Sequence, residues 1–298
     1  MASSVVVPAA IGWRAASLHA ACRGVCRGAA WVGQGGGPPA FLGHGGLPCA
    51  TSAASPPPLA WSFRGAQRGR GRPHARPASA CAGPTPLPGL DACRGDPTRS
   101  VFRVSTTANW LVPGSVMLGR YPGQEPSRVG TDAEARANLA PIVGGGVDVF
   151  VCLQDEIPPQ GQWPEARPVD GFMPYAPLVG ALAPGRDVEY LHFPIVDLGT
   201  ADDARLRGIV RDVAERVRAG RTVYIHCWGG RGRTGTIAAC LLKDLFPGEV
   251  AVEDALERLQ FAYDARGEGE GRVSPETPEQ FDQVRRYYAA TEEEATEA

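Results

Sequence analysis

One stretch constrains this chain more than any other: His226-Cys227-Trp228-Gly229-Gly230-Arg231-Gly232-Arg233-Thr234-Gly235, preceded by Val223-Tyr224-Ile225 and followed by Thr236-Ile237-Ala238-Ala239-Cys240-Leu241-Leu242. An apolar triplet, a glycine-rich turn and a second apolar run predict strand, tight loop and helix in direct succession. Glycine tolerates the backbone angles that let consecutive N–H groups turn toward one point. The helix that follows aims its positive end at the same point. Such a loop suits a tetrahedral dianion. Arg233 adds a planar fork able to hold two oxygens of that anion. Cys227 stands at the edge of the loop, where positive potential favours the thiolate.

The surrounding pattern alternates strands and helices. Ser115 to Arg120 reads as a strand behind an entry turn at Asn109 to Gly114, and Thr131 to Glu134, a capping residue followed by early acids, opens a helix. Val147 to Leu153 is a near-continuous apolar run of the kind buried on both faces of a parallel sheet. Residues 154–187 are rich in Pro and Gly and read as one long loop, and 188–197 as a strand with its exit. Leu206, Ile209, Val210, Val213 and Val217 recur at helical spacing after Asp202-Asp203. Further helices are expected over 234–246, from Val250, and from Pro278 behind Thr277. The expected fold class is α/β: a central, mainly parallel sheet with helices on both faces. In that architecture ligands sit beyond the carboxyl ends of the strands, where Cys227 falls.

Charge divides the chain. Residues 1–90 hold eight arginines and no Asp, Glu or Lys, whereas 91–298 hold 22 basic against 32 acidic residues, a net charge of −10. The first 95 residues are expected to be an unfolded arm and linker with the composition of an organelle transit peptide. The uncharged Met1-Ala2-Ser3-Ser4 start and the late first charge at Arg14 point to a plastid, with the mitochondrion as the alternative. Arg64, Arg68, Arg70 and Arg72 leave an RNA-binding arm as a second reading. The scarcity of aromatics to stack bases argues against a nucleic-acid partner. No run of about 20 apolar residues predicts a membrane span. The eight cysteines form no CxxC pair, so neither a zinc site nor a disulfide framework is expected. Cys152 and Cys240 lie in apolar runs and read as core residues. One folded domain is expected over 105–290, with an acidic frayed tail at 291–298. No motif speaks to oligomeric state.

The His226, Cys227, Arg233 and Thr234 spacing resembles the His-Cys-x5-Arg-[Ser/Thr] signature of the cysteine-dependent protein tyrosine phosphatase superfamily. Size and one further motif resemble its dual-specificity or atypical branch. The resemblance implies a phosphatase that acts on phosphorylated proteins through a phosphocysteine on Cys227, with no metal or organic cofactor. It implies that the backbone N–H groups of Trp228, Gly229, Gly230, Arg231, Gly232 and Arg233, with the Arg233 side chain, hold the phosphoryl oxygens. Thr234 would donate to the Cys227 sulfur, and His226 would order the loop. Pro194-Ile195-Val196-Asp197 matches a Pro-x-x-Asp segment about 30 residues before the cysteine, so Asp197 is the expected general acid; Asp202 and Asp203 are the alternatives. Glu276-Thr277-x-x-Gln280 resembles a late Gln-Thr-x-x-Gln loop that positions the hydrolytic water. Glu276 departs from it, and Gln280 as a plain helix-surface residue is the other reading. Trp228 either walls the pocket or packs on a neighbouring helix. Arg231 either reads a second phosphate, as in phosphoinositide-directed relatives, or lies solvated. Alternatives to a protein phosphatase are a phosphoinositide or inositol-phosphate phosphatase and a catalytically inactive phosphate-binding module.

Overall fold

The computed structural model describes residues 84–164, 167–267 and 271–297. The arm and transit-peptide reading for residues 1–83 lies outside them. At its centre is a five-stranded sheet in the order β1-β2-β5-β3-β4. β1 (Ala108–Val112) and β2 (Val116–Gly119) form an antiparallel pair around Gly114, whose φ of 77° fits glycine. β2, β5 (Val223–His226), β3 (Val149–Gln154) and β4 (Glu189–Ile195) run parallel. The mainly parallel sheet of the sequence reading is therefore present. Most of the expected entry turn at Asn109 to Gly114 is a strand, β1, interrupted between Trp110 and Val112 by an irregularity that breaks its alternation.

Helices cover both faces, and strand alternation explains how. Val149, Val151, Leu153, Val223 and Ile225 face one apolar cluster. They pack there with α4 (Asp203–Arg218), α5 (Gly232–Leu245), α6 (Val252–Asp264) and α7 (Pro278–Glu297). Phe150, Cys152 and Tyr224 face the other, with α2 (Asp132–Gly144) and α3 (Ala176–Leu182). Every predicted apolar position of α4, from Leu206 to Val217, is buried, and Asp202 caps the helix by accepting from Arg205 N at 2.9 Å. Thr131 and Glu134 close a capping box on α2. α5 is buried nearly all round, which is why its sequence is apolar on every side.

Three expectations change. The long loop over 154–187 contains α3, too short and too rich in Pro and Gly to show a period. Its start is capped from a distance, Gln160 Oε1 accepting from the N–H groups of Tyr175 and Ala176. The arm expected to lack structure through residue 95 ends in α1 (Leu90–Gly95). α1 buries Cys93 and pairs Arg94 with Glu257 of α6 at 2.6 Å, a tertiary contact with no local signature. The backbone of α7 continues past Thr291 to Glu297, where a frayed tail was expected.

Register places the site. Gly119 and Cys152 both align with His226, so β2 and β5 end at one level and β3 runs two residues further, to Gln154. Arg120, Glu156, Asp197 and Cys227 all follow strands at that shared carboxyl edge.

Candidate active site

The loop between β5 and α5 is built around one close approach. Gly230 has φ +64°, and a Cβ there would lie 2.1 Å from the Gly119 carbonyl oxygen and 2.7 Å from Arg120 N. Only glycine fits, because both the backbone angle and the space forbid a side chain. Cys227 lies inside this loop, 3% exposed. Among the described residues, the backbone N–H groups of Trp228, Gly229, Gly230, Arg231, Gly232 and Arg233 donate to no protein acceptor. Six unpaired donors in a partly buried loop at a helix start form an anion cradle.

Arg233 stands in the first turn of α5, at the end of that loop, 2% exposed. Its guanidinium is held by Glu156 through two hydrogen bonds of 2.8 and 2.9 Å, by the Ile195 carbonyl at 2.9 Å and by Asp197 at 2.7 Å. Burial works against its charge, but the Glu156 hydrogen bonds and the surrounding negative groups raise its pKa above the usual value. Burial likewise pushes the Glu156 carboxyl up, and the Arg233 hydrogen bonds outweigh it and hold Glu156 below the ordinary range.

The predicted residues converge, with two revisions. Asp197 comes to Arg233 from the β4 exit, whereas Asp202 is engaged as the α4 cap. His226 is fully buried behind the loop, its Nε2 2.8 Å from Tyr175 Oη and its ring within 5.3–5.7 Å of the Tyr121, Tyr175 and Tyr224 rings. Burial lowers its pKa to about 3, so it is neutral and structural. Trp228 both lines the mouth and packs, edge-on to Phe172 at 5.4 Å, with its indole N–H donating to Glu125 at 2.8 Å. The first revision concerns Arg231, which is not solvated alone: it forms an ion pair with Glu276. The second concerns Thr234 and Gln280. The Thr234 hydroxyl is buried but makes no hydrogen bond to Cys227 or to any other described group. Gln280 is fully buried rather than on a helix surface. Its Oε1 accepts from Glu276 N and Thr277 N, and its Nε2 donates to the Gly199 carbonyl at 3.0 Å.

Outside the cradle lies a cleft of about 380 Å³. Asp197, Leu198, Trp228, Gly229, Tyr263 and Glu276 line it together with four arginines, Arg120, Arg128, Arg231 and Arg272. Glu156, Tyr175, Glu125 and these rim arginines other than Arg231 were not identified from sequence. The signal available for Glu156 was position: a carboxylate two residues past a buried parallel strand stands at the ligand edge of the sheet.

This arrangement is that of a cysteine-dependent phosphatase fold. The family described as PTP-SAK, Swiss Army Knife protein, DSP-PTPase phosphatase domain, matches residues 105–253, and the chain belongs to it. Cyclin-dependent kinase inhibitor 3 of Rattus norvegicus is 37% identical over 78 residues, 26% of this chain and 35% of that protein; the Homo sapiens protein is 38% identical over the same length. The chain thus spans about a third of the length of the curated relatives it matches. Among solved structures, Tk-PTP in its active form is 24% identical, with a TM-score of 0.42 over 61% of this chain and 97% of that one. Kinase associated phosphatase with its catalytic-site cysteine changed to serine is 20% identical, with a TM-score of 0.42 over 59% and 86%.

Proposed function

We propose that this chain is a cysteine-dependent phosphatase of phosphoproteins, hydrolysing phosphotyrosine and accommodating phosphoserine and phosphothreonine in its open mouth. The observation that carries the reading is Cys227 set in a loop of unpaired N–H groups, with Arg233 and Asp197 joined at 2.7 Å beside it. The Cys227 thiolate attacks phosphorus and the ester P–O bond breaks. As the phosphoryl group enters, Arg233 exchanges its Asp197 contact for the equatorial oxygens that the cradle also holds; Asp197, freed of the guanidinium and protonated from solvent, gives that proton to the departing oxygen. Water then attacks the phosphocysteine, Asp197 accepts its proton, and inorganic phosphate and free Cys227 are regenerated. Thr234 has a hydroxyl available for the sulfur as it leaves. No step calls on a metal. The test is hydrolysis of para-nitrophenyl phosphate by the full chain in EDTA, with Cys227→Ser alongside. Activity in the wild type and none in the variant is expected, and equal activity in both overturns the reading.

The arginine-lined mouth supports one second reading, a phosphoinositide or inositol-phosphate substrate whose further phosphates meet Arg128, Arg231 or Arg272. A higher kcat/KM on inositol phosphates than on phosphopeptides, reduced selectively by Arg231→Ala, would favour it. The composition of the arm supports delivery to a plastid; localisation of a fluorescent fusion of residues 1–95 in plant cells tests that.

A further inference from the structure

The segment from Ile195 to Asp203, between β4 and α4, carries Asp197 and buries little of itself. Val196 is 66% and Leu198 53% exposed, so the residues on both sides of the acid contribute almost no apolar anchorage. Leu198 also has φ +59°, a left-handed conformation that a leucine keeps only where its surroundings impose it. Leu198 takes it as the third residue of a turn closed by the Gly199 N–H donating to Val196 O at 2.9 Å, and side chains tie down the other carbonyls of the segment. Arg233 donates to Ile195 O at 2.9 Å, Gln280 Nε2 to Gly199 O at 3.0 Å, and Gln283 Nε2 to Ala201 O. Gln280 and Gln283 lie one turn apart on α7, on the same face, and are 0% and 1% exposed. A buried amide that finds its acceptor on a neighbouring loop fixes that loop, because breaking the bond would strand both groups away from water.

The same helix start reaches the phosphate loop. Gln280 Oε1 receives the N–H of Glu276, the partner of Arg231, and lies where a Cβ on Gly232 would come within 2.9 Å. The first turns of α7 therefore touch both the loop that bears the nucleophile and the loop that bears the acid.

We propose that Gln280 and Gln283 are positioning residues for the general acid: by holding the Gly199 and Ala201 carbonyls they keep the segment that bears Asp197 in place beside the phosphate loop, so that the carboxyl stays within reach of the leaving group after Arg233 turns to the phosphoryl oxygens. This rests on the phosphatase reading and on Asp197 as the acid. It gives Gln280 a different task from positioning water and gives Gln283, which belongs to no motif, a task of its own. A misplaced acid matters most for a leaving group that departs poorly without a proton.

The experiment is kcat/KM for full-length wild type, Asp197→Asn, Gln283→Met, Gln283→Glu and the Asp197→Asn Gln283→Met double variant on aryl phosphates whose phenols range from strongly to weakly acidic. Orthovanadate inhibition is measured in parallel as a readout of the cradle. Asp197→Asn should steepen the dependence on leaving group. Both Gln283 variants lack the N–H donor while keeping side-chain length, and should steepen it partway, losing about tenfold on the poorest leaving group and less than about twofold on the best. Their vanadate inhibition should match the wild type, and Gln283→Met should add little on top of Asp197→Asn. Gln283 profiles parallel to the wild type, or an equal loss across the series together with weaker vanadate inhibition, overturn the positioning role and leave the phosphatase reading standing. An Asp197→Asn profile no steeper than the wild type overturns the acid assignment and the positioning role with it.

Discussion

Glu156 grips Arg233 with both carboxylate oxygens, at 2.8 and 2.9 Å, and so sets the plane of the guanidinium whose Nη2 it shares with Asp197. A bidentate pair fixes orientation as well as distance. Glu156→Gln keeps the shape but leaves one oxygen and loses the charge. With a charge-assisted contact worth about 1.5–3 kcal/mol, kcat should fall roughly 10–100-fold, and phosphate should bind more weakly as an inhibitor. Unchanged kcat would mean that Ile195 and the cradle suffice to orient Arg233. The pair also carries a pH signature. The Glu156 carboxyl is lowered in the fold, so its stabilisation is present above the unfolded glutamate pKa of about 4.3 and is lost as pH falls through the lower folded value. Urea midpoints at pH 6 and pH 3.5 should therefore differ more for the wild type than for Glu156→Gln.

Gly230→Ala tests the close approach of two backbones. The added carbon would meet Gly119 O at 2.1 Å on a residue with φ +64°. Overpacking costs about 1–3 kcal/mol and a left-handed alanine a further 1–2 or so. The melting temperature should drop by roughly 5–15 °C and turnover should collapse, because the loop must move off Gly119. A thermal scan and an activity assay on the same preparation check it; a variant that melts within about 2 °C of the wild type would contradict the steric argument.

What sequence revealed and what it hid divide along one line. The β5–loop–α5 unit was readable because strand, turn and helix signals are local, and the apolar face of α4 was readable because every member lies on one helix. Asp197 was within reach through a short motif next to a strand. Glu156 was hidden because its pairing with Arg233 joins residues 77 apart, and Tyr175 because its bond to His226 spans 51. Neither contact leaves a period or a spacing behind. α1 and α3 were hidden for a related reason: each is shorter than two turns and is held by side chains from elsewhere, Glu257 for α1 and Gln160 for the start of α3.

Arg231 and Glu276 form an ion pair at the lip of the cleft, with side chains 24% and 29% exposed. At that exposure the pair contributes no more than about 1 kcal/mol to stability, but its electrostatic effect on an incoming dianion is direct. Arg231→Ala leaves the Glu276 carboxylate uncompensated beside the cradle. KM for an aryl phosphate should rise about three- to tenfold with a smaller change in kcat. Adding Glu276→Gln should bring KM back to within about twofold of the wild type, since the repelling charge is gone. Steady-state kinetics on the two single variants and the double variant decide it. A double variant as weak as Arg231→Ala would show that Arg231 binds substrate itself.

His226 and Tyr175 make a buried pair at 2.8 Å under the phosphate loop, and the imidazole is neutral because burial lowers its pKa to about 3. Tyr175→Phe removes the only hydrogen bond formed by His226 Nε2 among the described residues and should cost about 1–3 kcal/mol, while kcat falls less than about threefold. A far larger loss of kcat than of stability would instead give the ring a part in the chemistry. The pH dependence follows from the same burial. The unfolded histidine takes up a proton near pH 6.5, whereas the folded one resists until about 3. Unfolding is therefore favoured progressively as pH drops below about 6.5, and this contribution is fully lost to the fold near the folded value. Urea midpoints measured from pH 7 down to pH 4 should decline in the wild type, and His226→Asn, less stable at pH 7, should decline less over the same interval. Parallel declines in the two proteins would show that other groups, and not His226, govern acid sensitivity.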